Sequence, residues 1–239
     1  MSHEYHREAP RAVLDAAFRR QGVPLAWRDA EPNRPPGEPF KPTNRAALLR
    51  PTDPANPAAG LEGLELRWWL TPYFHKGPAA AWKTLTANAP IETLDTAPTF
   101  REAYQARRAL IPLTSFVVYE QPPGWRKGSP KRRWEAAWTA ADAHDAVRYF
   151  AGLWDRATPS DLEGPLESFA IVTGPPGPDI AAVHDRQPVV LTLAQGLDWL
   201  RLDGPGKAGL AIDTPAGTYR LTERPRESVM SPEMRRALP

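Results

Sequence analysis

Two short segments, far apart in the chain, hold the side chains best suited to chemistry. NAPIET, Asn88 to Thr93, offers a carboxamide, a carboxylate and a hydroxyl in a proline-containing loop. Asn88 can hydrogen-bond a substrate oxygen and Glu92 can pair with a cation; the same groups can equally cap their own loop. AVHDRQPVVL, residues 182–191, sets a His-Asp-Arg cluster directly before an apolar strand. His184 can serve there as a general acid or base near neutral pH. Arg186 can grip a phosphate with its planar fork. The bland alternative is a histidine and an ion pair that tie a turn.

A third group is the chain start, MSHEYHREAP. Ser2 is small, so removal of Met1 would expose an α-amine on a residue with a hydroxyl. An α-amine titrates near ~8, far below a lysine, so much more of it is neutral at pH 7. A neutral amine condenses with an aldehyde to a Schiff base. A frayed terminus with no role is the alternative. A fourth is WRKGSPKRRW, residues 125–134, where Arg126, Lys127, Lys131, Arg132 and Arg133 lie between two tryptophans. Cations that follow phosphates, with aromatic faces for bases to stack on, suit single-stranded nucleic acid. A solvated hairpin tip has the same composition.

Composition removes other chemistries. The 239 residues include no cysteine, so disulfides, thiolate metal sites and cysteine nucleophiles are excluded. Five histidines with no HExxH pair argue against zinc, and no metal or cofactor is expected. A net charge of +2 gives a weak overall field, so nucleic acid would need a local patch. No apolar run is long enough to span a membrane, and the start lacks the apolar stretch of a signal peptide. Membrane partners are therefore not expected, and cytoplasmic residence is.

The elements that must position these groups are mostly strands. With 29 Pro and 16 Gly, long helices are broken and an all-helical bundle is disfavoured. Residues 10–21 read as a helix with Val13, Leu14, Ala17 and Phe18 on one face. Residues 28–60 read as a long loop with one strand around Ala46 to Leu49. LELRWWLT, 64–71, reads as a strand stopped by Pro72, and 73–97 as irregular. Thr99 and Glu102 have the form of a capping box opening a helix to about Arg108, with Phe100 and Tyr104 inward. Strands are expected at 109–120, 133–139, 147–154, 167–173 and 188–193, with 121–132 as a hairpin loop. Thr192 and Gln195 form a second capping box, whose helix buries Leu193, Leu197 and Leu200. The tail from 203 has only weak strand signals, AGLAI and GTYRL. The sum is a strand-rich α+β domain without internal repeats.

Taken in order, LELRWWLTPYF, NAPIET, FREAYQARRALIP, RYFAGLWD, SFAIVT and VHDRQPVVL resemble the SOS-response-associated peptidase family, the abasic-site-processing proteins. The resemblance spans residues 64–200. It implies one domain over residues 1–239, α+β, with strongly curved, mostly antiparallel sheets around a central channel, peripheral helices and a divergent tail at 203–239. It implies single-stranded DNA as partner, including strands with an abasic site. In the family, an N-terminal cysteine amine condenses with the ring-opened sugar and the thiol closes a thiazolidine, beside an Asn, a Glu and a His. Asn88 matches the Asn, His184 the His, Arg186 a phosphate-gripping arginine and Phe74 an aromatic near the DNA.

Three positions depart from the pattern. Ser2 stands where the cysteine belongs. Val118, six residues beyond Pro112, stands where the glutamate belongs, and Pro90 replaces an arginine within NAxxET. Glu120 lies on the same side as Val118 by strand alternation, about 7 Å further along, and would substitute only across a bulge. Without sulfur no thiazolidine forms, so a reversible imine at the Ser2 amine, with β-elimination, is the chemistry that can survive. A DNA-binding module with a decayed site and an N-terminal-nucleophile peptidase or amidase using Ser2 stay open beside it.

Overall fold

The computed structural model describes residues 3–32, 34–35, 37–139, 146–204, 206–210 and 214–225. In chain order the elements are β1 (Glu4–His6), α1 (Arg11–Arg20), β2 (Leu25–Trp27), β3 (Arg45–Pro51), β4 (Leu61–Trp68), β5 (Asn88–Pro90), α2 (Pro98–Ala106), β6 (Arg108–Leu113) and β7 (Ser115–Glu120). They continue with β8 (Arg132–Ala137), β9 (Arg148–Ala157), β10 (Leu166–Gly174), α3 (Pro178–Ala181), β11 (Gln187–Pro188), β12 (Val190–Leu191), α4 (Leu193–Leu200) and β13 (Arg220–Arg224).

Strands β10, β4, β3, β6 and β9 follow one another around a curved sheet that closes on itself, because β9 also pairs with β10 along Leu166–Ile171. Only the β10–β4 contact in this ring is parallel. Period-two alternation sorts the ring's residues between two faces. Leu49, Leu110, Leu153 and Val172 meet Leu14 and Phe18 of α1, Phe100 of α2 and Trp199 of α4. Helices are too wide for the inside of a five-stranded ring, so this face is the outer one. Leu48, Leu64, Leu66, Ile111, Phe150, Phe169 and Ile171 form the inner cluster. Gly152 of β9 lies on the inner side opposite Ala109 and Ile171. A Cβ there would overlap Ile111 Cδ1, so the missing side chain makes room for the isoleucine.

The expected strand over 109–120 is two strands. Thr114 breaks the run, donates its N–H to His6 O at 2.8 Å, and sends β7 into a second sheet of order β1-β7-β8-β13. That sheet lays Tyr5, Phe116, Val118 and Ala136 onto the inner cluster of the ring. Its other face carries Glu4, Ser115, Tyr119, Arg133 and Glu135, which share a face by register. The hairpin loop between β7 and β8 falls where expected.

Two helix starts behave differently from each other. The Thr192–Gln195 box forms: Gln195 N donates to Thr192 Oγ1 at 3.3 Å and Thr192 N to Gln195 Oε1 at 2.9 Å. The Thr99–Glu102 box does not. Ala97 is the N-cap, with no side-chain cap, because Pro98 fits the first turn, where its lack of an N–H costs nothing. On α4 the most buried side chains are Trp199 and Leu200, while Leu193 and Leu197 are half-buried. Trp199 Nε1 donates to Ala109 O at 3.2 Å and Gly152 O at 3.3 Å. In the tail, GTYRL runs into β13, which pairs with β8; Ala211 and Ile212 of AGLAI lie outside the described residues.

Candidate functional site

The C-terminal half of β10 gathers the two chemical segments. Beyond its ring contacts β10 takes β5 in parallel, Ile171 opposite Asn88 and Thr173 opposite Pro90. It then takes β11 antiparallel, Thr173 opposite Pro188 and Gly174 opposite Gln187. Directly opposed residues share a face, so Asn88, at 4% exposure, lies on the inner side with Ile171. Glu92 follows on a single 3₁₀ turn, Ile91–Thr93. His184 and Arg186 come from the turn between α3 and β11.

Arg186 Nη1 and Nη2 donate to Glu92 Oε1 and Oε2 at 3.0 and 2.9 Å, and Nη2 also donates to Thr173 O at 2.9 Å. The cation that Glu92 pairs with is thus the arginine of the second segment. Hydrogen bonding from Arg186 holds the Glu92 carboxyl below the usual carboxylate range, against a smaller burial effect. The backbone N–H of His184 donates to Ile180 O at 2.8 Å; its ring Nδ1 accepts from Arg186 N at 3.1 Å and lies 2.8 Å from Asp185 Oδ1. Burial pushes the imidazole below its ordinary value, against a smaller opposing effect of Asp185. His184 is therefore a neutral base at pH 7. Ser2 lies outside the described residues.

Val118 is fully buried in the inner cluster. The β7–β8 register runs without a bulge from Phe116 opposite Ala136 to Glu120 opposite Arg132. Glu120 therefore keeps its place, accepting from Trp134 Nε1 at 2.7 Å with Arg132 Nη1 at 3.2 Å. A carboxylate that the sequence reading missed lies on β1. Glu4 is 1% exposed, accepts from Tyr119 Oη at 2.5 Å and is paired with Arg133. Only the register of β1 on β7 reveals it; a glutamate near a chain start gives no signal of burial.

The five cations of the 126–133 stretch divide. Arg133 is committed to Glu4, and Arg132 to Glu223 at 2.9 and 2.8 Å. Arg126, Lys127 and Lys131 are exposed and form no ion pair with described residues, with Lys131 Nζ 5.2 Å from the Trp125 ring centroid. Phe74 stands elsewhere, on an exposed arm, edge-on to Tyr73 at 5.5 Å and Trp82 at 6.0 Å. The arm is pinned where Tyr73 N donates to Asp155 Oδ2 at 2.9 Å and Thr71 N to Ser168 Oγ at 2.8 Å. Among the described residues no three His, Asp or Glu side chains are grouped to hold a metal ion, and no helix is long and apolar enough to cross a membrane.

This architecture is that of known folds. A protein from Bacteroides thetaiotaomicron superposes with a TM-score of 0.73 over 93% of this chain and 92% of its own, at 17% identity. One from Bordetella bronchiseptica gives 0.69 over 94% and 100%, at 23% identity. The chain belongs to the SOS response associated peptidase (SRAP) family, whose model matches residues 4–220. Among curated relatives, the abasic site processing proteins YoqW and YobE of Bacillus subtilis are each 33% identical over 137 residues, 57% of this chain. The aligned part spans 56% of YoqW and 57% of YobE.

Proposed function

We propose that this chain binds single-stranded DNA carrying abasic sites and engages the lesion's aldehyde through the Ser2 α-amine. The observation that carries the reading is the convergence of Asn88, His184 and Arg186, from segments about a hundred residues apart, on one end of β10. The kinship with proteins named for abasic-site processing supplies the substrate class.

In this reading Asn88 hydrogen-bonds the sugar and Arg186 holds a backbone phosphate. The neutral amine attacks the aldehyde carbon to give a carbinolamine, which loses water to form an imine. His184 then removes a proton from the carbon next to the imine carbon, and the electron pair expels the 3′ phosphate. Hydrolysis returns the free amine. A hydroxyl at Ser2 gives no thiazolidine, so the adduct stays reversible. Arg126, Lys127 and Lys131 with Trp125, and Phe74 on its arm, extend the strand contact.

A second reading, binding without chemistry, is favoured by one observation: β7 brings no carboxylate in the place of Val118. Borohydride reduction on an abasic oligonucleotide separates the two. The first expects a stable adduct on the Ser2 nitrogen that survives Ser2→Ala and is lost on N-terminal acetylation. Binding with no trapped adduct establishes the second. Cleavage of a test peptide that Ser2→Ala abolishes would replace both with a peptidase.

A further inference from the structure

We propose that the Glu92 carboxylate holds the place of a nucleic-acid phosphate on Arg186, so that a strand enters this site by exchanging one anion for another. The inference rests on the DNA-binding reading above and adds a residue that sets its affinity and selectivity.

The geometry is that of a stand-in. Both Glu92 oxygens accept from the two terminal nitrogens of Arg186. A phosphodiester presents the same charge, −1, on two non-bridging oxygens, and the guanidinium fork fits either. The arginine is held independently of the carboxylate, since Nη2 also donates to Thr173 O on β10. Departure of Glu92 therefore leaves the fork aimed as before. The carboxylate is free to leave: it sits on a single 3₁₀ turn with its side chain 46% exposed, against 25% for Arg186. Nor does it saturate its partner. Arg186 Nε is buried and has no hydrogen-bond partner among the described residues. Lys207, paired with Asp95 at 2.6 Å, adds a weaker cationic influence that also lowers the Glu92 carboxyl.

Exchange has two consequences. Strand affinity is lower than the fork alone would give, by the strength of the internal pair. Weak or poorly placed anions are also refused, because they must outcompete a carboxylate already in register. A neutral linkage at this position cannot displace it.

The test is a double-mutant cycle on single-stranded oligonucleotide binding by fluorescence anisotropy at fixed salt. Exposed bidentate pairs are modest, so Glu92→Gln should tighten binding about two- to fivefold. Glu163→Gln, an exposed substitution that changes net charge equally, should leave affinity within error. In an Arg186→Gln background Glu92→Gln should give no gain; Arg186→Lys, which keeps the charge without the fork, repeats the cycle if the glutamine variant folds poorly. Unchanged or weaker binding by Glu92→Gln, or a gain that persists without the arginine, overturns the exchange while leaving the DNA reading intact. Absence of binding by every variant, the unsubstituted protein included, removes the DNA reading itself.

Discussion

Asp155 tests whether the exposed aromatic arm is held by the core or merely rests on it. The residue is 1% exposed at the end of β9. Its Oδ2 accepts from Tyr73 N at 2.9 Å, its Oδ1 from Arg156 N at 2.7 Å, and Arg107 Nε lies 3.1 Å from Oδ1. Each hydrogen bond to a buried charge contributes about 1.5–3 kcal/mol. Breaking a buried ion pair costs about 3–5 kcal/mol, less here because the Arg107 side chain is 22% exposed and water recovers part of it. These figures overlap rather than add, so Asp155→Ala should destabilise by about 3–5 kcal/mol. For a chain of this size that lowers Tm by roughly 6–20 °C. Asp155→Asn, with one acceptor oxygen for two N–H donors, should lose about half as much. Urea unfolding gives the magnitude, and hydrogen exchange at the Tyr73 amide locates it: protection there should fall in both variants before the strands lose theirs. An Asp155→Ala protein within about 1 kcal/mol of the parent, with Tyr73 still protected, would refute the reasoning and detach the arm from β9.

Other outcomes follow from the same structure. Gly152→Ala should cost about 1–3 kcal/mol by crowding Ile111 inside the ring, and Ile111→Val in the same chain, lacking the overlapping Cδ1, should restore part of that stability by urea unfolding. Neutralising Arg126, Lys127 and Lys131 should weaken single-stranded DNA binding and flatten its dependence on salt; Arg132→Gln and Arg133→Gln, whose partners are Glu223 and Glu4, should lower Tm instead. The Arg186–Glu92 pair holds the Glu92 carboxyl low, so its stabilisation is full above the ordinary carboxylate range and is lost as pH falls through the lowered value. Phosphodiesters stay ionised there, so the affinity lead of Glu92→Gln should be largest at neutral pH and close as the solution is acidified, measured by anisotropy across that range.

The legible parts of this molecule were those that local rules decide. Apolar runs dense in leucine and aromatics marked the strands of the ring, and the Thr192–Gln195 box marked α4, because partner and acceptor lie within one turn. Pro98 defeated the other box, since a proline one residue away offers a start that needs no side chain. Thr114 went unread because a strand that changes sheets keeps its apolar character across the break; only pairing with His6 on one side and Arg148 on the other shows it. At the site, residue types named Asn88, His184 and Arg186. Their meeting depends on β10 serving β5 and β11 beyond the ring, a non-local fact. Which cations are committed was also hidden, for Glu4 and Glu223 lie about 90 or more residues from the arginines they hold.

The burial of Val118 and the regular β7–β8 register bear on how such a site would work. Alternation gives β7 two faces, and the one that holds Val118 is closed by Phe116, Trp134 and Ala136 against the ring. A carboxylate cannot be recruited there by a small shift, because a one-residue slip would drive Tyr119 and Val117 into that core. Glu4 occupies the opposite face and is already neutralised by Arg133. Proton transfer in the proposed reaction therefore falls to His184. Burial keeps its imidazole unprotonated at pH 7, so it is available to take a proton from carbon but carries none to give to a departing hydroxyl. Loss of water from the carbinolamine would then be the slow step, and added small acids should speed trapping in proportion to their concentration, whereas added bases should not.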